Sequence, residues 1–164
     1  MNAPDEALNM GDKAQALIES IERAFADVTL EDGVSLREAD VIDDYGTREQ
    51  RQAARAQDEH RDWRNIPEAA IARYYWCLSF FDAKGMRFHL PAYMCFALRR
   101  YSDSASASID STIYALGTRD DDLNRLLTTE QRSVVRQFLE FMASDTDGRV
   151  DGVQARHALE NGWK

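Results

Sequence analysis

Carboxylates are the residues of this chain best placed to do chemistry, and they fall in two groups. Glu38, Asp40, Asp43, Asp44, Glu49, Asp58, Glu59 and Asp62 crowd one stretch, and Asp120, Asp121 and Asp122 form a run. Clustered carboxylates can act as acid and base, hold a divalent cation, or present a negative field to a basic partner. The first two roles need side chains that converge. Neighbouring positions on a helix or loop point apart, so Asp43 with Asp44, and Asp120 to Asp122, read as solvated charge and not as a metal site. The third role needs only a common face.

Other reactive side chains offer less. H-E-x-x-H, G-x-S-x-G, a phosphate-binding Walker loop and G-x-G-x-x-G are all missing. His60, His89 and His157 are scattered, none with a sequence-local partner. Cys77 and Cys95 make neither a disulfide framework nor a four-ligand zinc set, and no base lies near enough to activate them, although Arg99 sits one turn beyond Cys95. They read as core residues level with one another across a helical hairpin. The DTDGRVD segment at 145–151 has the glycine of a calcium loop, but setting Gly148 at position 6 puts Ala143 at position 1 and Gln154 at position 12, so both end ligands are lost. It reads as a turn that ends a helix. The sequence therefore argues for no enzyme, cofactor or metal.

Charge is distributed unevenly. The first 62 residues hold 16 acidic and 7 basic side chains, so the whole formal charge of −9 lies there and the remainder balances to zero. With 20 Lys and Arg against 29 Asp and Glu, nothing displaces counterions from phosphates, and nucleic acid is disfavoured as a direct partner. A basic protein is favoured instead. The longest apolar runs are far shorter than the ~20 residues that span a bilayer, and the amino terminus lacks the basic and apolar parts of a secretory signal, so a soluble cytoplasmic protein is expected.

The elements that must carry these residues read as helices, and the fold class expected is mainly α: one compact helical domain over 1–164, with a short flexible amino terminus. Leu17, Ile18, Ile21, Phe25 and Val28 give an amphipathic helix over 12–28. Ser35 with Glu38, and Thr47 with Gln50, are capping boxes that open two charged helices, the second running to about residue 62 with only alanines as its apolar stripe. Pro67 opens a helix to Phe81, apolar on nearly every side. A turn at 82–85, a short extended piece at 86–89 and a second helix from Pro91 complete a central antiparallel hairpin. SDSASAS marks a surface loop at about 102–109. Asp110 or Ser111 caps the next short helix, RDDD is an acidic loop, Thr128 with Gln131 caps a strong helix, and a last helix over 153–161 docks through Ala158, Leu159 and Trp163.

VSLREADVIDDYG, RDWRNIP, LSFFDAKGMRFHLPAYMCFALRRY and IDSTIYAL, in that order, resemble a bacterial family of small cytoplasmic proteins catalogued as a domain of unknown function. With EQRSVVRQFLEFM the resemblance covers most of the chain. It implies that Arg87, Phe88, Leu90, Pro91 and Tyr93 hold the hairpin together, and that Asp40, Asp43, Asp44 and Tyr45 form a second characteristic piece. It supplies no catalytic site. By association it implies an immunity protein, an antitoxin of interbacterial competition of the kind that protects against toxins delivered between cells, including by type VI secretion. The expected partner is a basic cognate toxin, such as a nuclease effector. Its active-site groove would be covered by an acidic face of Glu38, Asp40, Asp43, Asp44, Glu49, Asp58, Glu59 and Asp62, joined by Asp120, Asp121 and Asp122, with Tyr45 and Trp63 as anchors or core residues. A homodimer through the polar 47–62 helix is a further option. The alternative is a ligand-binding or regulatory module whose hairpin aromatics, Tyr74, Tyr75, Trp76, Phe80, Phe81, Phe88, Tyr93 and Phe96, line a pocket with Arg87 and His89.

Overall fold

Apolar residues at helical spacing build α1 (Ala3–Ala24), which buries Ala14, Leu17, Ile18 and Ile21, with Phe25 just past its end. The computed structural model describes residues 3–103, 106–118, 120–145 and 147–163, with side chains from Asn9 onward. Within them the fold is mainly α-helical and contains no strand. α1 starts well before Asp12, so little of the expected free amino terminus remains among the described residues. The carbonyls at its far end are satisfied by distant side chains: Gln131 Nε2 donates to Ala24 O at 3.0 Å, and Trp63 Nε1 to Phe25 O at 3.0 Å. Two distant segments are thereby tied to the last turn of α1.

α2 (Leu36–Asp43) and α3 (Arg48–Arg55) start where expected; Thr47 and Gln50 form both bonds of a capping box, whereas at α2 only Glu38 bonds back to Ser35 N and the Ser35 hydroxyl has no partner. α3, however, ends at Arg55, seven residues short of the predicted stop. An alanine stripe buries too little to extend it. The chain after it is held by side chains instead: the His60 ring donates to Arg55 O at 2.7 Å, and Leu30 N donates to His60 O at 2.9 Å. Trp63 is 3 % exposed, which settles it as core.

The expected hairpin is corrected on both arms. Its first arm divides into α4 (Glu68–Arg73) and a 3-10 segment (Tyr75–Ser79), with Tyr74 non-helical between them. The break has an identifiable partner: the hydroxyl of fully buried Tyr93 donates to Tyr74 O at 2.6 Å, and a buried hydroxyl needs such an acceptor. The second arm is one helix, α5 (Ala83–Arg100), running straight through Met86–His89 and Pro91. Pro91 ordinarily costs a helix interior about 3 kcal/mol. Here Phe88 and every residue from His89 to Leu98 are buried beneath α1, α4, α6 (Ser108–Gly117) and α7 (Asp121–Leu126), and that burial outweighs the lost hydrogen bond. Asp82 caps α5, accepting from Gly85 N at 2.8 Å and from Val34 N at 2.9 Å. The Leu30–Ser35 loop lies so close to that cap that a Cβ on Gly85 would stand 2.5 Å from Val34 O, so this contact needs glycine.

α6 begins at Ser108, ahead of the expected Asp110 cap, and Ser106 Oγ donates to Ala72 O at 2.6 Å. Ser104 and Ala105 of the expected loop lie outside the described residues, as do Arg119 and Thr146. Asp120 does not sit in a loop; it caps α7 by accepting from Leu123 N at 3.0 Å. α8 (Thr129–Ala143) buries the predicted stripe of Val134, Val135, Phe138, Leu139 and Met142, and α9 (Gly152–Asn161) packs on it and on α6. Trp163 then donates to Leu116 O at 2.9 Å. No helix of the described residues is long and apolar enough to cross a membrane. Both cysteines are free and buried, and burial pushes the Cys95 thiol up to about 12 and the Cys77 thiol higher still.

His89 is 1 % exposed and stacks on Phe81, with ring centroids 4.2 Å apart. Its Nδ1 donates to Gly85 O at 2.7 Å, and burial lowers its pKa to about 4. The unfolded chain therefore takes up a proton near pH 6.5 that the folded chain refuses until about pH 4. Stability is expected to fall by up to roughly 3 kcal/mol as pH drops through that window. Urea denaturation at pH 7.5 and 5.0 should show the loss, and His89→Asn, which keeps a donor for Gly85 O, should flatten it.

Candidate partner-binding surface

The acidic stretch separates, once folded, into carboxylates that hold the structure and carboxylates that face outward. Glu38 belongs to the first kind. It is 9 % exposed, not on an open helix face, and it accepts from Ser35 N at 3.1 Å, Arg51 Nη2 at 3.2 Å and Arg55 Nη1 at 3.4 Å. Arg55 continues the network, donating to Gly33 O and, at 2.7 Å, to Glu31 O. Asp58 is nearly buried and accepts from the backbone and guanidinium of Arg37 at 2.7 and 3.2 Å. Asp40 accepts from Trp76 Nε1 at 2.9 Å, joining α2 to the 3-10 segment.

Glu59 and Asp62 lie past the end of α3 and are also engaged. Glu59 accepts from Arg61 N at 2.9 Å and Asp62 N at 3.1 Å, and these two bonds hold its carboxyl below the usual range. Asp62 caps the 3-10 turn Trp63–Asn65 and pairs with Arg64 at 2.8 Å, which lowers its pKa likewise. On the far group, Asp120 caps α7 and Asp122 pairs with Arg125 at 2.5 Å, while Asp121 is exposed in the first turn. Of the expected acidic face over 38–62, Glu38 and Asp58 are thus largely withdrawn into the fold, whereas Asp40, Glu59 and Asp62 stay partly exposed.

Asp43, Asp44, Tyr45 and Glu49 form what remains. Asp43 is half-buried, the other three are exposed, and the three carboxylates pair with no cation among the described residues. The backbone explains why they stand out. Tyr45 N donates to Ile42 O at 3.1 Å and Gly46 N to Val41 O at 2.9 Å, the paired bonds of a Schellman motif closing α2. In that motif the residue after the C-cap takes a left-handed conformation, and here it is Tyr45, with φ 56°. Glycine normally fills such a position because a Cβ there costs roughly 1 kcal/mol. Gly46 cannot be exchanged with it, since its Cβ would overlap Val41 Cγ1. Tyr45 is therefore strained and 96 % exposed, gaining nothing from burial. Beside α2, Tyr75 is 38 % exposed and meets Trp76 edge to face with centroids 5.1 Å apart.

The aromatic pocket expected from the hairpin does not assemble around Arg87 and His89. Phe88 and Tyr93 are fully buried, His89 is buried against Phe81, and Arg87 pairs with Glu31. No group of three or more His, Cys, Asp or Glu side chains with metal-like proximity occurs among the described residues. The sequence did not reveal that Arg51 and Arg55 would neutralise Glu38, because the partners come from different helices. The one local clue was Gly46, which follows the strained tyrosine.

Two substitutions test this geometry in opposite directions. Tyr45→Gly should stabilise the fold by about 0.5–1 kcal/mol, because it relieves left-handed strain and removes no buried contact. Glu38→Ala should destabilise it by about 2 kcal/mol by leaving Arg51 and Arg55 without their common acceptor. Chemical denaturation reads both.

A model described as "Family of unknown function (DUF6714)" matches residues 13–164. No curated protein and no solved structure matches the chain.

Proposed function

The chain belongs to this family of unknown function, and from its own surface we propose that it is a non-enzymatic immunity protein that binds a basic cognate toxin through the corner between α2 and α3. The observation that carries the reading is Tyr45: a large aromatic side chain, 96 % exposed, held at a backbone position where glycine would be more stable. Strained backbone of this kind clusters at functional sites, and of the two left-handed non-glycine residues among the described ones, Glu31 and Tyr45, Tyr45 carries the large exposed apolar side chain. Tyrosine is also among the residues that supply most of an interface's energy.

Asp43, Asp44 and Glu49 stand around that anchor, and none of them forms an ion pair among the described residues. A basic groove, such as the phosphate-binding cleft of a nuclease, offers the complementary field. Long-range attraction speeds encounter, and a buried tyrosine sets the lifetime of the complex. Glu38, Asp40, Asp58, Glu59 and Asp62 support this corner from behind by fixing α2, α3 and the following loop.

The test is survival of cells co-expressing this chain with the protein encoded beside it, together with association measured between the purified pair. Tyr45→Gly should weaken the complex by about thirtyfold or more while raising stability. Asp44→Lys should slow association, and the wild-type association rate should fall as salt rises. Full protection and unchanged affinity with Tyr45→Gly would overturn the proposed interface.

A further inference from the structure

On another part of the molecule, a cleft of about 290 Å³ opens between the carboxyl-terminal ends of α6 and α9 and the start of α7. Phe81, Tyr114 and Trp163 contribute aromatic surface, Asp120 a carboxylate, and Asn124 and Asn161 neutral amides. Asp120 is the one charged side chain that lines the cleft among the described residues, and it caps the partial positive charge at the start of α7. Helix carboxyl termini carry partial negative charge, and both α6 and α9 end at this cleft. Asp120 adds a full charge and forms no ion pair among the described residues, where Leu123 N donates to its carboxylate and Asn124 N to its backbone carbonyl. Among the described residues no Lys, Arg or His lines the cleft. Ring faces attract cations through the aromatic quadrupole.

We propose that this cleft binds a small organic ammonium ion, with its apolar body against Phe81, Tyr114 and Trp163 and its charged nitrogen toward Asp120. The walls are in place before any ligand arrives: Trp163 is fixed by its bond to Leu116 O, and Asp120 by its capping bond. Tyr114 is 66 % exposed and stands at the rim, where its ring is accessible to a ligand. An anion would meet the Asp120 carboxylate and two helix termini of the wrong sign. A neutral ligand of equal shape would forgo the electrostatic attraction.

The experiment titrates the intact protein with 2-phenylethylammonium, 2-phenylethanol and 3-phenylpropionate, three probes of similar shape and different charge. Binding is followed by the indole N–H resonances of the three tryptophans. Trp63 and Trp76 lie outside the cleft and serve as internal references. The expected result is a saturable shift of the Trp163 signal with the ammonium probe, at least tenfold weaker binding of the alcohol, and none of the carboxylate. Asp120→Asn keeps a good helix cap and removes only the charge, so the variant should fold normally and bind the ammonium probe about tenfold more weakly. Equal binding of the alcohol and the ammonium ion, unchanged affinity in Asp120→Asn, or no movement of the Trp163 signal would each overturn the proposal. Because the cleft shares no residue with the Tyr45 corner, either reading can fail without the other.

Discussion

A carboxylate withdrawn from water must be matched or the fold pays several kcal/mol, and the way Glu38 is matched determines how the amino-terminal half is arranged. Its two oxygens accept from the start of its own helix and from two arginines of the next. One of those arginines, Arg55, also binds the carbonyls of Glu31 and Gly33. The loop so gripped is the one that presses on the first turn of α5, where Asp82 receives Val34 N and Gly85 leaves room for the contact. α2, α3 and the central helix are thereby joined through one network of charge-assisted hydrogen bonds. Without it, the corner bearing Tyr45 would rest on helices of only eight residues, one of which has no buried side chain.

This arrangement gives the acid surplus two separate uses. Carboxylates in the interior or at turns exchange hydration for backbone amides and guanidinium groups, as Asp58, Glu59 and Asp62 do. Those left at the α2–α3 corner keep their hydration and so keep their field. The net charge of −9 already subtracts every paired arginine, so folding redistributes that charge over the surface without reducing it. The rigid corner also removes part of the ordering cost that a flexible loop would meet on binding.

The other half of the fold obeys hydrophobic constraints. α5 is covered nearly all round, and that coverage lets it pass through Pro91. The buried Tyr93 hydroxyl then finds its acceptor in the Tyr74 carbonyl, the point at which the preceding helix breaks. The packing of one helix and the irregularity of its neighbour are two aspects of a single requirement, that a buried polar group be satisfied.

Local sequence was sufficient for whatever depends on residues within one or two turns. The helix starts at Ser35 and Thr47, the buried stripe of α8 and the docking of Trp163 were all legible there, as was the mainly α fold. Periodicity and capping act through neighbours at i+3 and i+4, which any reading of the chain contains. Tertiary structure decided the rest. Whether Pro91 opened or interrupted a helix depended on how completely that helix was covered. Which carboxylates remained at the surface depended on whether an arginine or an indole from another element reached them, as Arg51, Arg55 and Trp76 do. Charge can be counted along a chain, but its exposure is set by partners far away in sequence, because the cost of burying it can be met only where the folded backbone brings them together.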